Sequence, residues 1–261
     1  MTSTTFDSVA AARYIAAEHD ARKPFDNLPE AIAPRTVAEA YAVQEALRTL
    51  WEPVYGPVEA WKIATTTKVM QALMGIDHPC GGMIYGRRIH TSPFTVKLSQ
   101  HMHVVIECEL AVQVKSTLAA KSTPWTAAEV RREVGAVMPA FELIEDRSAD
   151  YKKTKALTLI ADNSWNAGIV LGAPVPVSVD RELNGLASVL VTPGGTKVGK
   201  TDDPMGALAW VANLGVERGR PVEAGQVVIT GSVVQTLPIA VAERFVFTID
   251  TIGSIEINAA E

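Results

Sequence analysis

Two glutamates one residue apart carry the clearest chemical signal in the sequence. Glu107 and Glu109 lie in an otherwise apolar stretch, residues 104–112, whose composition is typical of a β-strand. Side chains of a strand alternate between its faces, so both carboxylates point the same way, beside Val105 and Ala111. Two carboxylates on a half-buried face repel each other unless a proton or a cation lies between them. The alternative is a solvated sheet face without a function.

A third carboxylate, Glu142, lies in a second apolar segment, residues 139–144. Three carboxylates that face a common point form a hard-oxygen site for Mg²⁺ or Mn²⁺, with positions left open for water or substrate oxygens. The sequence leaves open whether Glu142 meets the other two. The two cysteines are weaker candidate ligands, because Cys108 points to the opposite face and Cys80 has no C-x-x-C partner.

The elements that must position these residues change along the chain. The first hundred residues are predicted to be helical. Helices are expected at 8–18, at 36–50, where the Thr36–Glu39 capping box opens the helix, and at 67–74. A proline-rich loop is expected at 23–35 and a turn around Gly81, Gly82 and Gly86. Beyond them, capping signals predict helices from Thr126 to about Val137 and over 205–216. Strands are predicted at 107–112, 140–144, 168–171, 187–191, 227–229, 245–249 and 254–257.

This pattern predicts an α+β fold with a mixed, rolled sheet. We expect a boundary near residue 80, between a small helical N-terminal part (1–80) and a β-rich catalytic domain (81–261).

The bulk composition narrows the class of protein. Hydrophobic residues make up 48% of the 261 positions and charged residues 20%, as in a globular protein with a sizeable core. The net charge of -5, without a basic run, argues against nucleic acid or an anionic membrane as a partner. No apolar stretch approaches the roughly 18 residues of a membrane span. Residues 1–10 lack the pattern of a signal peptide, so we expect a cytoplasmic location.

Several short motifs together resemble the fumarylacetoacetate-hydrolase superfamily, in its 2-keto-4-pentenoate hydratase/4-oxalocrotonate decarboxylase branch. The matches follow the family's order along the chain. They comprise the E-x-E-x-A strand at 107–111, the P-A-x-E segment at 139–142, a G-x-K-x-like strand at 60–63, an A-D-N-x-S-like segment at 161–164, and C-terminal signatures at 204–215, 224–232 and 252–255.

The resemblance implies a mostly β fold and a homo-oligomer, often a pentamer or decamer. It implies that Glu107, Glu109 and Glu142 bind Mg²⁺ or Mn²⁺ and that the substrate is a small 2-oxo or 2-hydroxy-dienoic acid. The chain departs from the family pattern at 64–67 (Ala-Thr-Thr-Thr), at 79–82 (Pro-Cys-Gly-Gly) and at 162–166. These departures touch the expected substrate pocket. The sequence also shows no lid histidine–glutamate pair of the kind that hydrolases of the family use.

Lys62 is the predicted residue for fixing the substrate carboxylate or moving a proton, because an ammonium in an apolar strand needs an anionic partner. Its alternative is a surface lysine. Asp162 and Ser164 are expected to orient water or substrate, or else to form a plain turn.

Other polar side chains have weaker predicted roles. Arg147 is predicted to pair with a ligand carboxylate or a substrate anion, and Thr230 and Ser232 to shape the pocket wall. Glu145 is expected to be exposed. His78, His101 and His103 are candidate proton carriers, but each is more often structural or solvated.

We expect a lyase, a hydratase that adds water to a 2-hydroxy-2,4-dienoate of the 2-oxopent-4-enoate type in aromatic-compound catabolism, because residues 75–79 resemble the hydratases' G-V-D-x-P. Two alternatives stay open: a decarboxylase of the 4-oxalocrotonate type, and a non-catalytic binding or scaffold homologue.

Overall fold

The computed structural model describes residues 6–261, so the first five residues of the N-terminal segment lie outside it. Six α-helices are present: α1 (Ser8–Asp20), α2 (Val37–Tyr55), α3 (Lys68–Met74), α4 (Ala127–Glu133), α5 (Ala156–Ala161) and α6 (Pro204–Glu217). Fourteen strands accompany them: β1 (Val58–Ala64), β2 (Cys80–Tyr85), β3 (Ile89–Thr91), β4 (Phe94–Lys97), β5 (Val104–Val114), β6 (Val134–Glu145), β7 (Asn166–Leu171), β8 (Val175–Pro176), β9 (Ala187–Thr192), β10 (Gly195–Lys200), β11 (Val227–Ser232), β12 (Leu237–Pro238), β13 (Arg244–Ile249) and β14 (Gly253–Ala260).

The strands form two mixed sheets, which confirms the predicted α+β class. The larger sheet runs β2-β1-β11-β5-β6-β7-β3, with β12 on β5 and β8 on β6. The smaller runs β10-β9-β13-β14-β4. Parallel pairs (β1 with β11, β3 with β7, β14 with β4) are mixed with antiparallel ones. The main core draws on both sheets, and the rings of Phe141 in β6 and Phe247 in β13 lie 5.9 Å apart.

Helices α1 and α2 pack on each other and on the sheet through a separate apolar cluster that includes Ala12, Leu47, Trp51 and Tyr85. Strand β1, however, precedes residue 80 and pairs with β11 in the larger sheet. The two predicted parts of the chain therefore share a sheet, and the boundary near residue 80 stays a prediction.

The prediction of a helical first hundred residues was wrong in its second half, because β1 to β4 lie there. The predicted turn at Gly81 and Gly82 is also wrong, since both lie in the buried strand β2. A Cβ at Gly81 would lie 2.3 Å from Leu214 Cδ2, and one at Gly82 would lie 2.9 Å from Lys62 Cγ. These glycines serve close packing rather than a turn.

Two helix ends differ from expectation. The helix that begins at the Thr126–Glu129 capping box ends at Glu133, not near Val137, because Val134 to Val137 pair with β5 and so join the sheet. Helix α2 continues to Tyr55 although Pro53 lies in its last turn. Within residues 6–261, no helix combines the length and the apolar character that a membrane span requires.

Candidate metal centre and adjoining cavity

Strands β5 and β6 bring the three predicted carboxylates together. Glu107 is directly opposite Glu142 in the antiparallel register, and Glu109 lies two residues further along β5. One oxygen of each carboxylate lies within 4.8 Å of the others. Glu109 and Glu142 are fully buried and Glu107 is half-buried. The sequence left this meeting of the three carboxylates open, and the pairing of β5 with β6 decides it.

Neighbouring groups hold each carboxylate from a different element. Lys62 Nζ of β1 lies 2.7 Å from Glu142 Oε1, and Asn166 Nδ2 donates to the same oxygen at 2.8 Å. The backbone N–H of Gly231 donates to Glu109 Oε2 at 2.6 Å. The hydroxyl of Thr236 donates to Glu107 Oε1. These contacts fix the carboxylates while part of each stays free for another ligand.

Gly231 reaches Glu109 because its backbone has a positive φ of 108° at an irregularity in the β11–β5 register. A bulge of this kind turns the N–H out of the ladder, and glycine tolerates the conformation without strain. The local geometry of β11 thus supplies a donor to a buried carboxylate.

The electrostatics of the cluster favour bound positive charge. Burial raises the pKa of Glu109 well above its usual range, and the charges of Glu142 and Glu107 raise it further. Burial also raises the pKa of Glu142, to about 6, although Lys62 opposes the shift. Burial alone would lower the pKa of Lys62, but the three carboxylates outweigh it and the pKa is raised. The carboxylates therefore favour the charged form of Lys62.

The donor set fits a hard divalent cation. Glu109 Oε1 and Glu142 Oε2 are buried and accept no hydrogen bond from residues 6–261, which is costly unless an ion or a proton satisfies them. Lys62 neutralises one of the three negative charges, and a divalent cation would neutralise the other two. Carboxylate oxygens are the ligands that Mg²⁺ and Mn²⁺ prefer.

A cavity of about 410 Å³, here called the Lys62 cavity, opens beside the cluster. Lys62 and Glu107 line it, so the carboxylate cluster borders the cavity through Glu107. The other lining residues come from five regions of the chain. They are Ile63 to Thr67 at the end of β1 and after it, Met70 and Met74 of α3, Ile144 of β6 with Tyr151 after it, Leu159 of α5 with Ser164 and Trp165 after it, and Gly231 to Thr236 at the end of β11 and after it.

Two of the predicted pocket residues line this cavity, namely Ser164 and Ser232. The carbonyl of Ser164 accepts a hydrogen bond from Lys62 Nζ at 3.1 Å, while its hydroxyl is buried without a partner in the described chain. Ser232 donates to the Val234 carbonyl at 2.6 Å. Thr230 does not line the cavity, and its hydroxyl donates to the carbonyl of Leu110.

The segment Asn163 to Trp165 positions Ser164 through an unusual backbone. All three residues have φ between 49° and 58°, the left-handed region, which costs a non-glycine residue roughly 1–2 kcal/mol. The side chain of Asn163 compensates by bonding both the N–H and the carbonyl of Met83. Strain of this kind is typical of functional sites.

Asp162 and Arg147 lie together, but neither lines the Lys62 cavity. Asp162 accepts hydrogen bonds from Arg147 Nη2 at 2.7 Å and from His19 Nε2 at 2.6 Å. Both the aspartate and the arginine are at most 3% exposed. The partner of Arg147 is therefore Asp162, not one of the three clustered carboxylates.

The expectation that Glu145 is exposed was wrong. Its carboxylate is half-buried and bonds His101 Nδ1 at 2.7 Å and the N–H of His103 at 2.7 Å. The pKa of Glu145 is lowered, since the hydrogen bonds from His101 and His103 outweigh burial, which acts alone in the opposite direction. His101 and Glu145 line a different cavity, and neither of them lines the Lys62 cavity.

The other two histidines are also engaged away from the cluster. His103 Nδ1 lies 2.6 Å from Asp146 Oδ1, and His78 Nδ1 lies 2.7 Å from the Pro79 carbonyl. None of the three candidate histidines lines the Lys62 cavity.

Four residues that contact the carboxylate cluster or line the cavity had no predicted role. Asn166 and Thr236 hold carboxylates of the cluster, and Tyr151 and Trp165 line the cavity. Asn166 and Trp165 stand in the segment that departs from the family pattern, which was a usable signal. Thr236 and Tyr151 carried none, because only the folded chain brings their loops to the site.

Comparisons with known proteins find relatives named as hydratases and decarboxylases, which are lyases. No protein-family model matches it. It is 26% identical over 260 residues to 2-keto-4-pentenoate hydratase 2 of Dechloromonas aromatica (strain RCB), which covers 98% of each chain. It is 26% identical over 242 residues to 4-oxalocrotonate decarboxylase of Pseudomonas putida, covering 91% of this chain and 89% of that one. The resemblance to the hydratase/decarboxylase branch is thereby confirmed.

The fold agrees with this relationship. The structure of 4-oxalocrotonate decarboxylase from Pseudomonas putida G7, complexed with magnesium and adipate, superposes with a TM-score of 0.87 at 23% identity and covers 97% of both chains. The helical N-terminal elements are therefore part of the shared fold.

Proposed function

We propose that this protein is a divalent-metal-dependent lyase, a hydratase that adds water to a 2-hydroxy-2,4-dienoate to give a 4-hydroxy-2-oxo acid. The observation that carries the proposal is the cluster of Glu107, Glu109 and Glu142 beside Lys62 and a cavity. Two buried oxygens of the cluster have no hydrogen-bond partner among residues 6–261. Curated relatives named as hydratases support the reaction type.

The cation we propose is Mg²⁺ or Mn²⁺, held by Glu107, Glu109 and Glu142. When bound, it supplies a Lewis acid for the two adjacent oxygens of a 2-oxo acid and stabilises the charge of an enolate. Solved structures of similar fold, complexed with magnesium in one protein and with Mn²⁺ in another, support a divalent ion.

The protein's own groups provide charge and proton handling. Lys62 lines the cavity as a buried ammonium, and we assign it the substrate carboxylate or the proton that the dienol gains at its far carbon before water adds. The unpartnered Ser164 hydroxyl and Trp165 Nε1 lie in the same wall and can bond substrate oxygens or the attacking water. Ser232 stays a proposed wall residue.

In this proposal three residues that do not line the cavity support those that do: Asp162, Arg147 and Thr230. Asp162 precedes the strained Asn163–Trp165 segment and is fixed by Arg147, so the pair positions Ser164 rather than touching the substrate. Thr230 ties β11 to β5 next to Gly231.

Decarboxylation is the second candidate, because relatives of both kinds match at the same identity and the same enolate serves both reactions. Purified protein with Mg²⁺ would be given 2-hydroxypenta-2,4-dienoate and 4-oxalocrotonate in parallel. Loss of dienol absorbance with formation of the 4-hydroxy-2-oxo acid is expected from the first. CO₂ release from the second, with no hydration of the first, would replace the hydratase by the decarboxylase.

We further propose a cytoplasmic homo-oligomer, pentameric or decameric as the family resemblance implies. Both cysteines are free and buried, which fits a reducing compartment. Light scattering of the purified protein tests the subunit count, and a monomer would contradict it.

A further inference from the structure

One part of the wall of the Lys62 cavity is apolar, whereas Thr65, Thr66, Thr67, Ser232 and Gln235 line it with uncharged polar side chains. Met70 and Met74 of α3, Ile144 of β6, Leu159 of α5 and Trp165 form the apolar part. These residues belong to one hydrophobic cluster of the core, so this part of the wall is a continuous apolar surface rather than scattered side chains.

The residues that line the cavity carry little charge. Among residues 6–261 that line it, Lys62 is the only cation and Glu107 the only carboxylate. Lys62 is already paired with Glu142. The Tyr151 hydroxyl donates to Asp146 Oδ2 at 3.0 Å, so it is committed as a donor. A second carboxylate at the far end of a ligand would therefore find no free cation among these lining residues, and only uncharged polar groups to replace its water.

The cavity is also larger than a five-carbon acid requires. Its volume of about 410 Å³ falls within the ~300–1,000 Å³ range of pockets that bury most of a drug-sized ligand. With the acid end at Lys62 and the carboxylate cluster, the space that remains adjoins the methionines, Leu159 and Trp165.

We propose that the substrate carries an uncharged, apolar chain or ring beyond its fifth carbon, and that the site discriminates against a second carboxylate. This inference rests on the proposed function, because it places the 2-oxo acid group at the metal centre. It adds the chemical nature of the substrate's other end, which the three carboxylates and Lys62 do not specify.

Binding of unreactive 2-oxo acids tests the proposal without turnover. Calorimetric titrations of the Mg²⁺-loaded protein would compare 2-oxobutanoate, 2-oxohexanoate, 2-oxooctanoate and 2-oxoadipate. We expect affinity to rise about fourfold for each methylene that is buried. We expect 2-oxohexanoate to bind at least tenfold more tightly than 2-oxoadipate, which has the same carbon number and a terminal carboxylate.

Met70→Lys places an ammonium in the apolar wall at a half-buried position of a surface helix, where the variant can keep its fold. It is expected to reverse the preference towards 2-oxoadipate. The matched control is Val69→Lys, which adds the same charge one residue away, at a site that is 78% exposed and outside the cavity. The control should keep the wild-type order of affinities.

The outcomes separate the two proposals. If no 2-oxo acid binds, the proposed function fails and this inference with it. If all bind, but 2-oxobutanoate equals 2-oxooctanoate or 2-oxoadipate equals 2-oxohexanoate in the wild-type protein, the inference fails and the proposed function stands.

Discussion

Lys62 Nζ lies 2.7 Å from Glu142 Oε1, and both side chains are almost completely buried. The two residues come from β1 and β6, which are not neighbours in the larger sheet. A lone buried ammonium or a lone buried carboxylate would be strongly destabilising, so each residue makes the other tolerable. The pair leaves Glu142 Oε2, like Glu109 Oε1, without a hydrogen-bond partner among residues 6–261, so a cation can satisfy both oxygens.

Glu109→Gln is expected to abolish Mg²⁺ binding and turnover while the fold is retained. The amide has the shape of the carboxyl group, but it lacks the negative charge and one of the acceptor oxygens that a cation requires. A calorimetric Mg²⁺ titration and circular dichroism check the two halves of the prediction. Glu223→Gln, on an exposed glutamate, is the control. Wild-type activity of the Glu109 variant after stringent chelation would defeat the metal model. Absence of turnover in the wild-type protein itself would favour the non-catalytic alternative.

Lys62→Met is expected to lower kcat at least a hundredfold and to leave the cation bound. Removing the ammonium takes away a positive charge that competes for Glu142, so Mg²⁺ affinity should be equal or higher. The same change leaves a buried carboxylate unpaired and should destabilise the metal-free protein by about 3–5 kcal/mol. Urea unfolding with and without Mg²⁺ measures this, and Lys197→Met, at an exposed position of β10, is the control. A fully active variant would remove Lys62 from the mechanism.

The stability of the metal-free protein is expected to fall as the pH rises from 4.5 to about 6. Glu142 has a pKa of about 6 in the folded chain against 4.5 for an ordinary glutamate, so the folded state holds a proton that the unfolded state releases in this window. The contribution of Glu142 to the free energy of unfolding is present below pH 4.5 and is lost by about pH 6. It amounts to about 2 kcal/mol.

Urea unfolding in chelator at several pH values measures this slope. Other groups titrate in the same range, so the reference is the Glu142→Gln variant, in which this carboxyl group no longer titrates. The free energy of unfolding should fall with pH more steeply in the wild-type protein than in this variant. Saturating Mg²⁺ should reverse the fall, because the cation binds the ionised cluster more tightly as the pH rises. An identical pH profile for both proteins would contradict the assignment.

Asp162→Asn is expected to destabilise the protein by about 3 kcal/mol, because it leaves the buried Arg147 guanidinium without a charged partner. For a chain of this size that corresponds to a fall in Tm of roughly 6–12 °C. Asp150→Asn breaks an exposed ion pair with Lys153 and should change stability by less than about 1 kcal/mol. Should Asp162→Asn instead lower kcat with an unchanged Tm, the aspartate would act on the substrate directly.

Gly82→Ala is expected to cost about 1–3 kcal/mol and to weaken turnover, since the added Cβ would lie 2.9 Å from Lys62 Cγ and 3.0 Å from the Asn163 carbonyl. Both of these neighbours position the site. Gly194→Ala in the β9–β10 hairpin, where the closest atom is 3.7 Å away, is the control. Equal melting temperatures for the two variants would show that the close packing at Gly82 is unimportant.

Local patterns in the sequence determined much of this protein. Period-two alternation placed Glu107 and Glu109 on one face, and capping residues marked the starts of α2, α4 and α6. Apolar runs marked seven strands of the two sheets: β5, β6, β7, β9, β11, β13 and β14. These features depend on neighbours within a few residues, so the sequence alone carries them.

The tertiary structure decided what depends on distant partners. Val134 to Val137 could continue a helix, but pairing with β5 makes them strand, and Gly81 and Gly82 resemble a turn until Leu214 and Lys62 pack against them. Asp162 was an equally good candidate for the pocket until Arg147 and His19 engaged it. Lys62 and Glu142 are eighty positions apart in the sequence and meet because of the order of the strands in the larger sheet. No local pattern in the sequence specifies that order.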